Sequence, residues 1–96
     1  MKKTGIELIA QERQEQIEKH GITVEEDVKV NEAGELRAAA FSLLGVPDSD
    51  ALLKYNPWPW NKERWERICQ KPYKERLVVA GALIAAEIDR IQATEE

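Results

Sequence analysis

Ninety-six residues, 43% hydrophobic and 33% charged with a net charge of −4, describe one globular domain, residues 1–96, and not a disordered chain. A chain of this size buries only about 60–65% of the surface its unfolded form exposes, so its own stability is modest and self-association would add to it. The longest apolar run, "LVVAGALIAA" from Leu77 to Ala86, falls well short of the roughly 18 residues that mark a membrane span. The lysines of "MKKTGIELIAQER" are followed too soon by polar residues for a secretory leader. The single cysteine, Cys69, has no partner for an internal disulfide and no companions at metal-ligand spacing. These features exclude a membrane partner and predict a cytoplasmic protein.

In chain order, Thr4 and Glu7 form a capping box, and Ile6, Ile9, Ala10 and Ile17 recur at helical spacing up to Gly21, which predicts a first helix over about 5–20. "ITVEEDVKV" is acidic and reads as irregular, with at most one turn after Thr23. Asn31 is the expected cap of a second helix over about 32–44, carrying Ala33, Leu36, Ala40, Leu43 and Leu44 on one side and closing at Gly45. "PDSDALLKY" allows one or two further turns before "NPWPW", where neither proline permits regular helix. Asn61 then caps a short helix to about Gln70, and Pro72 opens a last, most apolar helix over about 72–93. With no strand-like alternation, the expected fold is all-α: a compact helical bundle of three main helices, with one or two short helices around an aromatic loop.

The charge is unevenly spread. Residues 1–53 hold six basic and eleven acidic side chains, residues 54–76 seven and three, and residues 77–96 one and four. The basic middle segment contains "YNPWPWNKERW" and with it all three tryptophans. Cations beside aromatic rings suit an anionic, planar ligand such as a nucleotide, because charge offsets phosphate while the rings stack on a base. The overall acidity argues against a long duplex nucleic acid as partner.

On a helical wheel Arg13, Gln16 and His20 share the stripe of Ile6, Ile9 and Ile17, so they are expected to face the bundle. Glu32 lies in the apolar sector of the second helix and Glu35 at its edge. The expected core line of the last helix is Leu77, Gly81, Ile84, Ile88 and Ile91, with Glu87 on its flank and Asp89 opposite. These polar groups have three readings. Arg13 pairs with Glu32 or Glu87 as a buried ion pair; or Glu32, Glu35 and Glu87 hold a hard cation such as magnesium; or they line a polar ligand pocket. The amphipathic helix of Trp65 suggests packing but leaves core and surface both open, whereas Trp58 and Trp60 flank Pro59 and are harder to bury together. Cys69 reads as an inert, partly buried thiol. No nucleophile constellation, glycine-rich phosphate loop or zinc spacing occurs.

"ELIAQERQEQIEKHG", "NEAGELRAAAFSLL", "WPW" and "RLVVAGALIAAEIDRIQ" resemble segments of small uncharacterised bacteriophage and prophage proteins, a resemblance that covers nearly the whole chain and implies a bacterial host cell. More distantly, the first helix ending in Lys-x-Gly, "EAGEL" and the closing "EIDR" are similar to the all-α NTP pyrophosphatase (MazG-like) superfamily. That resemblance implies magnesium held by an E-x-x-E and an E-x-x-D pair, and cleavage of nucleoside triphosphates. Glu32 and Glu35 match the first pair; Glu87 and Asp89, two apart, depart from the second, and Glu63 with Glu66 follows the aromatic loop. The preferred reading is a phage-type accessory protein that binds a nucleotide or similar anion through Arg13, Gln16, His20, Trp58, Trp60, Lys62 and Arg64, without covalent catalysis. A magnesium-dependent pyrophosphohydrolase and an interaction module using the WPW surface are the alternatives, and homo-oligomerisation is expected because the core is small.

Overall fold

The computed structural model describes residues 2–44 and 58–95, and among these every regular element is helical. The helices are α1 (Gly5–His20), α2 (Val24–Val30), α3 (Glu35–Leu44), α4 (Lys62–Cys69) and α5 (Tyr73–Thr94). The all-α bundle expected from the periodicity is therefore present. None of these helices is long and apolar enough to cross a membrane. The turns anticipated between Gly45 and Pro57 lie outside the described residues.

Local chemistry explains the helix ends. Thr4 Oγ1 accepts the Glu7 N–H at 3.2 Å and Glu7 Oε1 accepts the Thr4 N–H at 3.0 Å, completing the capping box that starts α1. The helix stops at Gly21, whose φ of 67° is the left-handed conformation that glycine adopts without a Cβ penalty. Two expectations are corrected in the next segment. Residues 24–30 form a full short helix, because Thr23 Oγ1 accepts the Glu26 N–H and three acids occupy its positive end. Asn31 ends this helix instead of starting the next one. α3 begins only at Glu35, after a turn through Gly34 at φ 92°.

α5 is the hub, packing against α1, α2 and α3. Its core line is not the predicted one. Leu77, Ile84, Ile88 and Ile91 are 37–50% exposed, and the buried face carries Val79, Ala80, Ala82, Leu83 and Ala86. The helix is turned so that its small residues meet the neighbouring helices at short range, and the larger isoleucines are left outside. Glycine at position 81 serves the same approach, since a Cβ there would lie 2.7 Å from Ile9 Cδ1. Ile6, expected to face inward, is 83% exposed.

The rest of the core comes from Leu36, Ala39, Ala40 and Leu43 of α3, with Ile22, Trp58, Trp65 and Ile68. Trp65, left open by the pattern, is a core residue, and Trp58 is buried as well. The two rings of the WPW segment reconcile burial with the proline between them by packing edge to face, 5.1 Å apart at 86°.

Leu83, 1% exposed, and Phe41, 58% exposed, provide a test of this core. Leu83→Ala should lower the unfolding free energy by about 2–5 kcal/mol, against less than about 1 kcal/mol for Phe41→Ala, measured by urea denaturation. Equal losses would show that the buried face of α5 is misassigned.

Candidate functional site

The end of α1 and the start of α4 meet around two adjoining cavities. One, of about 240 Å³, is lined by His20, Ile22, Glu26, Asn31, Trp60 and Arg64, among others. The second, of about 390 Å³, is lined by Glu12, His20, Arg64, Arg67, Ile68 and Lys71, with Val79 at its base. His20 and Arg64 belong to both, so the two form one groove. Its cationic edge follows from helical spacing. Asn61 Oδ1 caps α4 by accepting the Arg64 N–H at 2.9 Å. Arg67 follows at i+3 on the same face, Lys71 comes just past the end of the helix, and Trp65 turns into the core.

The electrostatics of the groove are unbalanced. Among the described residues, Arg64, Arg67 and Lys71 form no ion pair, whereas Lys62 pairs with Glu66 at 3.9 Å. Burial pushes Glu12 above the usual carboxyl value, opposed by the charges of Lys71 and Arg64. Burial is also the main cause that lowers the His20 pKa below 6.5, followed by repulsion from Arg64 and Lys19. The imidazole at the centre of the groove is therefore held toward its neutral form. Burial lowers the Arg64 pKa too.

Trp60 is half-buried and forms a wall. Its Nε1–H donates to Asn31 Oδ1 at 3.4 Å, and Asn31 Nδ2–H donates to Asp27 Oδ1 at 2.7 Å. Beneath it, Trp58 Nε1–H donates to the Asn61 carbonyl at 3.0 Å. The ring is thus tied both to the α4 cap and to a carboxylate in the interior.

That interior is a polar layer. Asp27 is fully buried, and its Oδ2 has no hydrogen-bond partner. Burial raises its pKa, with the Asn31 hydrogen bond and the Arg13 charge opposing. Arg13 faces the bundle as expected, but its partners differ: Nη1–H donates to the Ile22 carbonyl at 2.6 Å and Nε lies 3.7 Å from Asp89. Neither Glu32 nor Glu87 pairs with it. Gln16 is also buried, its Nε2–H donating at 3.5 Å to the Val79 carbonyl of α5.

Of the residues expected at a ligand site, His20, Trp60 and Arg64 come together. Arg13, Gln16 and Trp58 instead support the site from within, and Lys62 lies on the outer side of α4. His20, expected on the inward stripe, is exposed at the end of α1. The three carboxylates expected to hold magnesium do not fit that role. Glu32 is exposed, Glu35 Oε1 accepts the Ala33 N–H at 2.7 Å, and Glu87 pairs with Arg90. The Glu87 hydrogen bond, together with the charges of Asp27 and Glu32, raises the Arg90 pKa. The cation in this acidic surrounding is therefore the protein's own guanidinium, and no three His, Cys, Asp or Glu among the described residues could hold a metal. Cys69 is half-buried, with its thiol pushed up by burial.

Asp27, Asn31, Arg67 and Lys71 were not singled out from the sequence. Asn31 was taken for a helix start. The two cations were legible as an i, i+3, i+7 series from Arg64 within the basic segment. No family model, curated protein or solved structure matches this chain.

Two titrations test these assignments. The chain's only histidine should give a single imidazole NMR signal titrating below 6.5, with Arg64→Gln moving it upward; a value at or above 6.5 would contradict the partly desolvated, cationic setting. Because the folded pKa of Asp27 is raised, the folded state binds the proton more tightly. The stability Asp27 contributes is present below its ordinary value of 3.8 and is lost as pH rises to the folded value. Asp27→Asn should remove that slope from the stability profile and leave the protein as stable or more so at neutral pH; an unchanged slope would exclude Asp27 as its source.

Proposed function

We propose that this protein binds a small anionic ligand with a planar group, a nucleotide or nucleotide-like molecule, in the groove between α1 and α4. The observation that carries this reading is the set of three cations, Arg64, Arg67 and Lys71, that form no ion pair among the described residues, beside a half-buried tryptophan in joined cavities. Guanidinium groups offer a phosphate paired, charge-assisted hydrogen bonds, and the indole offers a face or edge to a base. The two cavities together reach the size range of ordinary ligand sites, which starts at about 300 Å³. His20, neutral in the free protein, gains an anionic partner on binding and takes up a proton more readily.

The reading is one of sequestration without turnover, in keeping with the departure of Glu87 and Asp89 from a second acidic pair. The interaction-module alternative loses support because Trp58 is buried and Trp60 half-buried, leaving little of the WPW segment for a docking surface. Self-association belongs to the same proposal, as the exposed isoleucine face of α5 would be covered by a second copy.

Titration calorimetry with ATP, ADP and inorganic phosphate checks the proposal. Nucleotide should bind with a change in tryptophan emission, and more tightly as pH falls through the His20 pKa. Arg64→Ala combined with Lys71→Ala should weaken binding at least about tenfold, the scale of a single charge-assisted hydrogen bond. Failure of every nucleotide to bind at millimolar concentration would reject it. Release of pyrophosphate with magnesium, abolished by Glu32→Gln and Glu35→Gln, would replace sequestration by hydrolysis.

A further inference from the structure

We infer that α5 pairs antiparallel with α5 of a second copy, so that the acidic end of each helix covers a lysine-rimmed hollow at the start of the other. Between Leu77 and Ile91 the exposed positions of α5 are Leu77, Ile84, Ile88 and Ile91, all apolar. Gly81 completes a 4-3-4-3 spacing, the repeat of a helix-pairing seam, but Ile9 of α1 lies against it, so the open part of the seam among the described residues is Leu77, Ile84, Ile88 and Ile91. Asp89, the half-exposed acid nearby, turns to Arg13. The strip extends about 21 Å at 1.5 Å per residue.

The direction of pairing follows from charge. At the N-terminal end of the strip, Leu77 is also part of a hollow of about 630 Å³ whose floor includes Leu8 and Val78 and whose rim carries Lys2, Lys3 and Lys74. The hollow also adjoins the first turn of α1 at Gly5. That turn and the start of α5 present the positive ends of two helices, which adds to the attraction for carboxylates. At its opposite end the helix closes at Glu95, an exposed acid. A two-fold axis near Ile84 sets Ile91 of the second copy over Leu77 and carries Glu95 toward the lysines. Parallel pairing would place lysines on lysines and glutamates on glutamates. An isologous contact of this kind closes at the dimer. A strip this short lies at the small end of specific interfaces, so a dissociation constant of roughly micromolar order is expected.

This deepens the self-association proposed above and can fail separately from it. Sedimentation equilibrium on the full chain should show the mass rising with concentration from 11.0 kDa toward twice that value. Ile88→Asp should remain monomeric with unchanged helical circular dichroism. Lys3→Glu with Lys74→Glu should weaken the dimer at least about tenfold, and adding Glu95→Lys with Glu96→Lys should restore it. In a Cys69→Ser background, Ile84→Cys should cross-link to itself under air, whereas Ile91→Cys should cross-link to Leu77→Cys and not to itself. A monomer at every concentration would overturn both the self-association and its arrangement, and a dimer indifferent to Ile88→Asp would overturn the α5 contact. Self-linking of Ile91→Cys, or charge reversal without effect, would overturn only the antiparallel order.

Discussion

The close approach of three helices to the small-residue face of α5 is the constraint on which the rest of the structure depends. Ala80, Ala82 and Ala86 are fully buried and leave little side-chain thickness between backbones. Gln16 of α1 can therefore reach a backbone carbonyl inside α5. Apolar burial and dispersion reward such contact in proportion to the surface removed from water and the density achieved. With the small face inward, the branched residues of the same helix must face outward. The core and the exposed isoleucine strip are thus two results of one rotation about the helix axis.

The approach also encloses charge. Arg13 and Asp27 are removed from water without full hydrogen bonding, an arrangement that costs stability compared with a well-packed apolar pair. What it provides is position. Arg13 holds the Ile22 carbonyl at the turn after α1, and Asp27 orients Asn31, which in turn holds the Trp60 indole. The buried polar layer thereby ties the α1–α2 turn and the aromatic segment into one rigid wall. His20 and Arg64 meet at that wall because the turn and the α4 cap are both anchored.

Two groups of cations remain, and they differ in surroundings. Arg64, Arg67 and Lys71 border a groove with a histidine held toward its neutral form, a carboxyl shifted upward by burial and an indole, the setting from which the proposed planar anion is argued. Lys2, Lys3 and Lys74 rim a hollow with an apolar floor that runs directly into an apolar strip, which favours an amphipathic helix end. At the opposite pole the cation is Arg90, enclosed by carboxylates of its own chain. An acidic protein can therefore keep local positive sites, because only charges within about a Debye length act strongly on a ligand.

The sequence by itself determined what depends on neighbours along the chain. The capping box at Thr4, the stop at Gly21 and the cap at Asn61 all rest on residues within a few positions of one another, and all were legible. The basic, aromatic character of the middle segment was legible for the same reason. Tertiary structure decided the rotation of α5. A wheel weighted by hydrophobicity selects the isoleucines, whereas packing against three helices at once selects the alanines. It also decided that Asn31 closes a helix, since an Asn beside a Gly-containing turn suits either end until its side chain finds Asp27 and Trp60. Trp58 entered the core because it packs among helices distant in sequence, and Arg90, held by Glu87 three residues before it, also came under the charges of Asp27 and Glu32. Periodicity carries no information about those distances, so the site emerged only when the helices were brought together.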